Sequence, residues 1–342
     1  MSAVASRTEA GRRTTWVGLQ DGLRRAFGPS DRTPGRGLRV LAILTALSAY
    51  GAIVMGGIVR TTGSGLGCDS PNDNGWPLCQ GRLLPPLEQT AVIEFIHRWM
   101  AATLSFLLVA LVATVVLRYR HNRVLLAAVV AVTVLTIAQI VLGAITVYAK
   151  LPGSIVMVHL ANAELLLGAV LFTCLVTFGA TRATIAPELR AAVMWMTAAA
   201  AAVYVLVLSG AFVVAKGAGY ACDAWPLCGN GFQLDASQTA QYNVFHRWVA
   251  GAAGLILLVA LVQVVRAFKD RRAVRMVSYL AGAALVAQAA AGAILVESRL
   301  PTWTRSVHVA LASATWAAVV LVALLVRARF VEQPAAASEI AA

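Results

Sequence analysis

The sequence predicts an all-α integral membrane protein. Its eight transmembrane helices are expected to form two repeated four-helix bundles, related by a pseudo-twofold axis along the membrane normal. Of the 342 residues, 59% are hydrophobic and only 13% are charged, which is too apolar for a soluble domain of this length. The apolar residues fall into eight runs, each long enough to cross about 30 Å of hydrocarbon. The second half of the chain also repeats motifs of the first.

The predicted spans follow one another with short connections. In chain order they cover residues 38–59, 90–117, 124–147, 154–178, 191–214, 239–265, 274–296 and 303–326. Each reaches the roughly 20 residues that a membrane helix requires. The predicted organisation is an N-terminal tail (1–37), an N-terminal half (38–181), a linker (182–190), a C-terminal half (191–328) and a C-terminal tail (329–342).

The net charge of +13 is explained by membrane topology, and no nucleic-acid partner is expected. With the N-terminus inside, the inner side carries 20 of the 28 Lys and Arg, the outer side carries six, and two lie within helices. This positive-inside bias predicts that both termini are cytoplasmic. Residues 1–37 show no secretory apolar segment, and abundant Arg and Ala with few Lys are typical of a high-GC bacterium. A bacterial cell membrane is therefore predicted, with an organellar transit peptide as the alternative.

The two halves repeat each other at an offset of 149 residues. WPLC occurs at 76–79 and 225–228, and HRW occurs at 97–99 and 246–248. Before a gap in the first outer loop, the offset becomes 154. Further matches at these offsets are Gln139 with Gln288, Gly143 with Gly292, His159 with His308, Cys68 with Cys222 and Gly56 with Gly210. Because each half has four spans, both halves enter the membrane in the same direction, which predicts the axis along the membrane normal.

Four of the five histidines lie in the outer third of predicted spans, namely His97, His159, His246 and His308. Neutral imidazole binds iron, copper and zinc, and a heme iron takes one His from each of two facing helices. Ala and Gly near these histidines leave room for a flat macrocycle. A bare zinc or copper ion would more often recruit Cys or carboxylate, so a heme is favoured in each half. The structural alternative is an interhelical hydrogen bond at each His. His121 is predicted to lie in a solvated inner loop.

Arginines and cysteines accompany the histidines near the outer surface. Arg98 and Arg247 each directly follow a His, where they could pair with heme propionates or extend toward lipid phosphate. Each of two outer loops holds two cysteines, and an oxidising outer side predicts the disulfides Cys68–Cys79 and Cys222–Cys228. These bonds can serve as loop staples or as a thiol–disulfide relay near the hemes.

Acidic residues within the spans occur only in the N-terminal half. Glu94 lies three residues before His97 on the same helix face, whereas its counterpart in the repeat is Asn243. A buried carboxyl beside a heme can accept protons, so Glu94 is the predicted catalytic residue. The alternative for Glu94 is a salt bridge to Arg98. The N-terminal half is therefore predicted to be the reactive half and the C-terminal half to hold a cofactor.

A second acidic position shows the same asymmetry. Asn162 and Glu164, just beyond His159, have Leu311 and Ser313 as their counterparts. For Glu164 a polar partner within the bundle, such as Gln139, is favoured over a direct function.

Residues 38–328 resemble the heme A synthase family. The resemblance rests on the duplicated spans, on GGIVRTTGSGLGC, both WPLC motifs, EFIHRW and FHRW, and on His159 and His308. It implies that a methyl group of heme O is oxidised to a formyl group, giving heme A for terminal oxidases. It also implies that His246 and His308 are the axial ligands of a heme b cofactor, while His97 and His159 flank the substrate heme and Glu94 takes part in catalysis.

The resemblance carries further expectations. The first cysteine pair is regarded as functionally important in the family. Independently of the resemblance, the position of each arginine beside a His places Arg98 near the substrate heme and Arg247 near a propionate. The insert SPNDNG (70–75) departs from the second half and leaves the role of that pair open between a staple and a relay. Expected partners are heme O, heme A, membrane lipid, a heme O synthase and an electron acceptor. Two alternatives are a diheme b-type carrier that exchanges electrons with quinone and a transporter built from parallel repeats.

Overall fold

The computed structural model describes residues 34–69, 78–228 and 237–330. Most of both predicted tails, the 70–75 insert, and Trp76 and Pro77 of the first WPLC motif lie outside these ranges. Within them, eight helices are long and apolar enough to cross a membrane, so the chain is a multi-pass, all-α membrane protein, as predicted. They are α1 (Arg36–Thr61), α2 (Gln89–Arg118), α3 (Arg123–Tyr148), α4 (Gly153–Thr177), α5 (Arg190–Ala215), α6 (Gln238–Ala267), α7 (Arg272–Glu297) and α8 (Thr302–Leu325).

The helix ends agree with the predicted spans to within two residues, because polar residues mark them. Asn122 caps α3 by accepting a hydrogen bond from the backbone N–H of Leu125 at 3.0 Å, and Ser237 caps α6. Arg118 and Arg266 lie in the last turns of α2 and α6, where a cation complements the helix dipole.

Each half packs as a ring of four helices. In the N-terminal half α1 contacts α2 and α4, while α3 contacts α2 and α4; α5 to α8 make the corresponding contacts in the C-terminal half. The halves meet where α1 and α4 pack on α5 and α8. The main cluster of buried residues spans this seam and is formed by small and branched side chains such as Ala49, Val170, Ala199 and Val319. The sites in both bundles are therefore attached to one shared core.

Two tyrosines cross the seam at equivalent positions of the repeat. The Tyr50 hydroxyl on α1 donates to the carbonyl of Ala310 on α8 at 3.1 Å. The Tyr204 hydroxyl on α5 donates to the carbonyl of Ala161 on α4 at 3.0 Å. These contacts have the reciprocal pattern that a twofold relation produces. The pseudo-twofold axis itself stays a prediction.

The outer turns before α4 and α8 share an unusual backbone. Lys150 and Leu151 both have positive φ angles, of 61° and 62°, and Arg299 and Leu300 have φ angles of 61° and 56°. Such angles are disfavoured for residues with a side chain. A proline follows each pair and precedes the helix that carries the His. The two turns therefore have the same backbone conformation, and each leads into the helix that carries His159 or His308.

The structure contains two short strands that the sequence did not predict. β1 (Ala180–Arg182) follows α4, β2 (Ala328–Phe330) follows α8, and the strands pair antiparallel with Thr181 opposite Arg329. Both segments lie just after the predicted ends of their spans, at residues 178 and 326. Three residues are too few to show a strand periodicity, and it is their pairing across the seam that makes them strands.

Candidate functional site

In the N-terminal half, the rings of His97 and His159 each lie against a glycine of a neighbouring helix. A Cβ atom on Gly56 of α1 would lie 3.2 Å from Cε1 of His97 on α2. A Cβ atom on Gly143 of α3 would lie 3.3 Å from Cε1 of His159 on α4. A side chain at either glycine would press on the ring. All four helices of the half thus contribute to the position of the two imidazoles.

The C-terminal half repeats this arrangement. A Cβ atom on Gly210 of α5 would lie 3.1 Å from Cε1 of His246 on α6, and one on Gly292 of α7 would lie 3.3 Å from Cε1 of His308 on α8. In each half the two imidazoles are close enough to interact electrostatically. The structure therefore brings the four predicted histidines together as two pairs, one in each bundle.

The first His of the C-terminal pair, His246, differs from the first His of the N-terminal pair, His97, in the hydrogen bonding of its Nδ1 atom. Oγ of Ser209 lies 2.7 Å from Nδ1 of His246 and also 2.7 Å from the carbonyl oxygen of Leu206. The aligned residue in the N-terminal half is Met55, and Nδ1 of His97 is buried without a hydrogen-bond partner among the described residues. Only His246 is therefore held through its Nδ1 atom.

The second His of each pair contacts a glutamine. Nε2 of Gln139 lies 3.3 Å from Nε2 of His159, and Gln288 makes the same contact with His308 at 3.3 Å. In the N-terminal half Asn162 holds this glutamine by donating to its Oε1 atom at 2.7 Å. Gln139 was suggested as a partner for Glu164, but its partner in the structure is Asn162.

Glu94 joins the first His helix to the first cysteine loop. Its Oε1 atom accepts from Nε and Nη2 of Arg98 at 3.0 and 2.5 Å, and its Oε2 atom accepts from the backbone N–H of Cys68 at 2.8 Å. The carboxyl is 3% exposed, so burial strengthens these charge-assisted bonds. The salt bridge considered as an alternative is present, one helical turn from His97.

The second half keeps this clamp without the charge. Oδ1 of Asn243 accepts from Nε of Arg247 at 3.0 Å, and Nδ2 donates to the carbonyl of Ala218 at 3.1 Å. Arg247 also donates to the carbonyls of Ala224 and Pro226, as Arg98 does to that of Leu78 at 2.9 Å. In each half the arginine therefore fastens the outer cysteine loop to the His helix, a role that the sequence reasoning missed.

Both predicted disulfides are present, Cys68–Cys79 and Cys222–Cys228. Cys68 and Cys79 are buried against Ala91 and partly buried Phe95, on the turn of α2 that also carries Glu94. The first disulfide is thus in direct contact with the helix of His97. Cys174, the only free cysteine among the described residues, packs beside an apolar cluster that includes Leu111 and Val176.

Glu164 lies at the seam between the halves, away from the glutamine that was its expected partner. Its Oε1 atom accepts from the Ser313 hydroxyl at 2.5 Å, and its backbone carbonyl accepts from the Trp316 indole at 2.9 Å. The side chain is fully buried. Ser313 is the residue that the repeat aligns with Glu164, so the two counterparts pair with each other. Glu164 therefore has a polar partner within the protein, Ser313, although that partner is not Gln139.

The chemistry of each pair of histidines fits a heme. Two imidazoles from facing helices are a ligand set for heme iron, and the four glycines allow the imidazole rings to lie close to the neighbouring helices. Nη2 of Arg247 is buried and has no hydrogen-bond partner among the described residues, so a propionate would satisfy it. The structure is thus a multi-pass membrane protein in which each half carries a pair of histidines with the chemistry to hold a heme.

Four side chains of the site were not recognised from the sequence, namely Ser209, Gln139, Gln288 and Asn243. The repeat already held a signal, because Gln and Gly match at the same offset as the histidines. A residue that recurs with a ligand at a fixed offset is a candidate for contact with it. Ser209 carried no such signal, since Met55 replaces it in the other half.

Comparison with known proteins identifies the family of this chain. The family model COX15-CtaA, described as cytochrome oxidase assembly protein, matches residues 39–320, and the chain belongs to this family. The protein named heme A synthase from Shouchella clausii is 28% identical over 81% of this chain and 92% of its own length. Those from Bacillus licheniformis (28%, 78% and 88%) and Symbiobacterium thermophilum (27%, 82% and 92%) are similar in the same way. The predicted family is thereby confirmed.

Proposed function

We propose that this chain is a heme A synthase, an enzyme that oxidises a methyl group of heme O to the formyl group of heme A for terminal oxidases. The family and the relatives named heme A synthase support the activity. The observation that carries the assignment of roles is the difference between two otherwise matching sites. Each half has a His pair, a glycine behind each ring and an arginine clamp, but only the N-terminal half has a carboxylate in the clamp.

The proposed substrate site lies in the N-terminal half, between residues 38 and 181. His97 and His159 flank heme O there, and Arg98 holds the outer edge of the site through Glu94. Converting a methyl to a formyl group adds one oxygen atom and removes two hydrogen atoms, so protons must leave the reacting carbon. Glu94 is the buried carboxylate nearest in sequence to a substrate-flanking His and is the proposed acceptor for such a proton.

The proposed cofactor site lies in the C-terminal half, between residues 191 and 328. His246 and His308 would hold a heme b as axial ligands, and Arg247 would pair with a propionate through its free Nη2 atom. A heme b bound there supplies one-electron transfer through its iron. Asn243 keeps the arginine in place without adding a charge, which suits a half that holds a cofactor and transfers no proton.

The proposed location is a bacterial cell membrane with both termini on the cytoplasmic side. The two disulfides support this orientation, because they lie in loops at the end opposite the basic segments and disulfides persist on an oxidising side. Heme O, heme A and membrane lipid are the proposed partners, together with a heme O synthase and an electron acceptor. Fusion of a reporter that folds only on the cytoplasmic side to residue 342 tests the orientation.

Replacement of Glu94 tests the enzymatic role. Glu94→Gln keeps the size of the side chain and one acceptor for Cys68 but removes the charge, and we expect heme A formation to fall about 100-fold or more, the usual contribution of a proton-transferring side chain. The measurement is chromatography of hemes extracted from a host that makes heme O. Asn243→Ala is the matched control, since it loosens the corresponding clamp on Arg247 in the other half. Heme A formation at the wild-type rate in Glu94→Gln would exclude this role.

A second candidate function is a diheme b-type electron carrier that exchanges electrons with quinone. The near-identical placement of the four histidines against glycines favours it, because a carrier needs two similar sites. It predicts two heme b groups per chain that quinol reduces, and no modified heme in the extract. The same chromatogram therefore separates the two functions.

A further inference from the structure

We propose that side chains behind the histidines make heme binding firm in the C-terminal half and reversible in the N-terminal half. Ser209 stabilises the bond between His246 and a heme iron, while Asn162 and Gln139 weaken the hold of His159. This inference rests on the proposed function, in which one half keeps a cofactor and the other must release a product in every cycle. Ser209 and Asn162 differ from their counterparts Met55 and Leu311 in halves that otherwise match closely.

The hydrogen bonds of Ser209 fix the proton on His246. A hydroxyl has one hydrogen, and the carbonyl of Leu206 can only accept, so the Ser209 hydroxyl donates to Leu206 at 2.7 Å. At its 2.7 Å contact with Nδ1 of His246 the same oxygen must therefore accept. Nδ1 then carries the ring hydrogen, and the lone pair of Nε2 is available to iron. A metal-ligating His is typically oriented in this way by an acceptor at its other nitrogen.

The N-terminal half lacks this support. Met55 stands at the aligned position, and Nδ1 of His97 has no hydrogen-bond partner among the described residues although it is buried. Its ring is positioned by packing against Gly56 but not by a hydrogen bond. Outer hydrogen bonds of this kind are generally worth about 10–100-fold in metal affinity. The His97 side of the substrate site should therefore bind iron more weakly than the His246 side of the cofactor site.

Gln139 competes with iron for the second His of the N-terminal half. Asn162 Nδ2 lies between two acceptors, the carbonyl of Leu135 at 2.9 Å and Oε1 of Gln139 at 2.7 Å. The carbonyl fixes the orientation of the Asn162 amide, and that amide fixes the orientation of Gln139. The NH2 group of Gln139 therefore faces Nε2 of His159 at 3.3 Å and donates to the lone pair that iron would need.

The corresponding glutamine of the C-terminal half is not held in this way. Leu311 replaces Asn162, and Oε1 of Gln288 is buried without a hydrogen-bond partner among the described residues. Withdrawing Gln288 from His308 breaks one long hydrogen bond of 3.3 Å. Withdrawing Gln139 from His159 breaks a similar bond and also disturbs the Asn162 anchor. Iron therefore displaces the glutamine more easily in the C-terminal half.

The rate of heme loss tests the inference directly. The full-length protein in lipid nanodiscs is loaded with iron protoporphyrin IX, and transfer of heme to excess apomyoglobin is followed by absorbance. We expect a fast phase that His97→Ala removes and a slow phase that His246→Ala removes. Ser209→Ala should accelerate the slow phase at least 10-fold, and Asn162→Leu, which copies the C-terminal half, should retard the fast phase.

Two further variants separate a hydrogen-bonding role from a packing role. Ser209→Thr keeps the hydroxyl and should keep the slow phase, whereas Ser209→Met, which copies the N-terminal half, should behave like Ser209→Ala. Loss of the hydrogen bond at Nδ1 should also raise the reduction potential of the retained heme, because the imidazole then donates less electron density to ferric iron. A structural role alone would leave that potential unchanged.

The outcomes distinguish the inference from the proposed function. If His97→Ala removes the slow phase, the assignment of cofactor and substrate halves is wrong. If His246→Ala removes it but Ser209→Ala and Ser209→Met leave both the rate and the potential unchanged, the halves are correctly assigned and this inference is wrong. Acceleration in Ser209→Ala with recovery in Ser209→Thr supports both.

Discussion

The two halves of this protein share a scaffold and differ at the positions next to the histidines. Gly56 and Gly210 support the first His of each pair, and Arg98 and Arg247 tie each His helix to its disulfide loop. The clamp contains a carboxylate in one half and an amide in the other. These shared contacts set the positions of the two histidines in each half. The contacts that are not shared are the basis for the different roles that we propose for the halves.

Replacing the carboxylate of Glu94 by the amide of Asn243 leaves the contact with the arginine in place. Asn243 accepts from Arg247 at 3.0 Å, the same distance at which Glu94 accepts from Nε of Arg98. The charge at this position can therefore differ between the halves while the arginine keeps its partner. Site function on a shared fold is commonly set in this way.

The largest expected effect comes from removing a His from each half in turn. His246→Ala should abolish the heme that remains bound through purification, because a single axial imidazole is left. His97→Ala should leave this heme in place and abolish product formation. Heme content per chain, measured by pyridine hemochrome absorbance, checks both outcomes. His121→Ala, an exposed loop position, is the control.

A contrary result would change the comparison. Equal loss of retained heme in His97→Ala and His246→Ala would mean that the two halves hold heme equally firmly, as a diheme carrier requires. Complete retention in both variants would mean that the paired imidazoles are not the heme ligands.

A smaller effect is expected from adding a methyl group at the glycines that contact the imidazole rings. Gly210→Ala places a methyl group 3.1 Å from Cε1 of His246, and Gly56→Ala places one 3.2 Å from Cε1 of His97. Overpacking of this kind typically costs about 1–3 kcal/mol, so heme affinity should fall roughly 5- to 150-fold in the half that carries the change. Gly251→Ala on α6 is the matched control, because its new Cβ meets no atom within 4 Å.

Heme titration of each variant measures the effect. Gly210→Ala should weaken retained heme and spare substrate turnover at saturating heme O, and Gly56→Ala should do the reverse. An unchanged affinity in both variants would show that the rings can shift without loss of binding, and the glycines would then serve helix packing alone.

The spans, the His pairs and the disulfides could be predicted from the sequence because each leaves a local signal. Hydropathy marks α1 to α8, and Cys spacing limits the disulfide partners. The repeat aligns His97 with His246 and His159 with His308, which indicates one His pair in each half. The partner of Glu164 could not be predicted, because Ser313 is 149 residues away and the two meet only once the halves pack. Ser209 was invisible for another reason, since one hydroxyl in an apolar helix is common and its value depends on the ring beside it.

The smallest expected effect tests whether the halves are equivalent at their seam. Tyr50→Phe removes a hydrogen bond of 3.1 Å to Ala310, and Tyr204→Phe removes one of 3.0 Å to Ala161. Each loss should lower the free energy of unfolding by about 1 kcal/mol, the usual net value of such a bond. Unfolding in SDS, followed by absorbance of the retained heme, measures it, with Tyr279→Phe at an exposed site on α7 as the control. If one tyrosine costs several times more than the other, the reciprocal contacts are geometrically alike but energetically unequal.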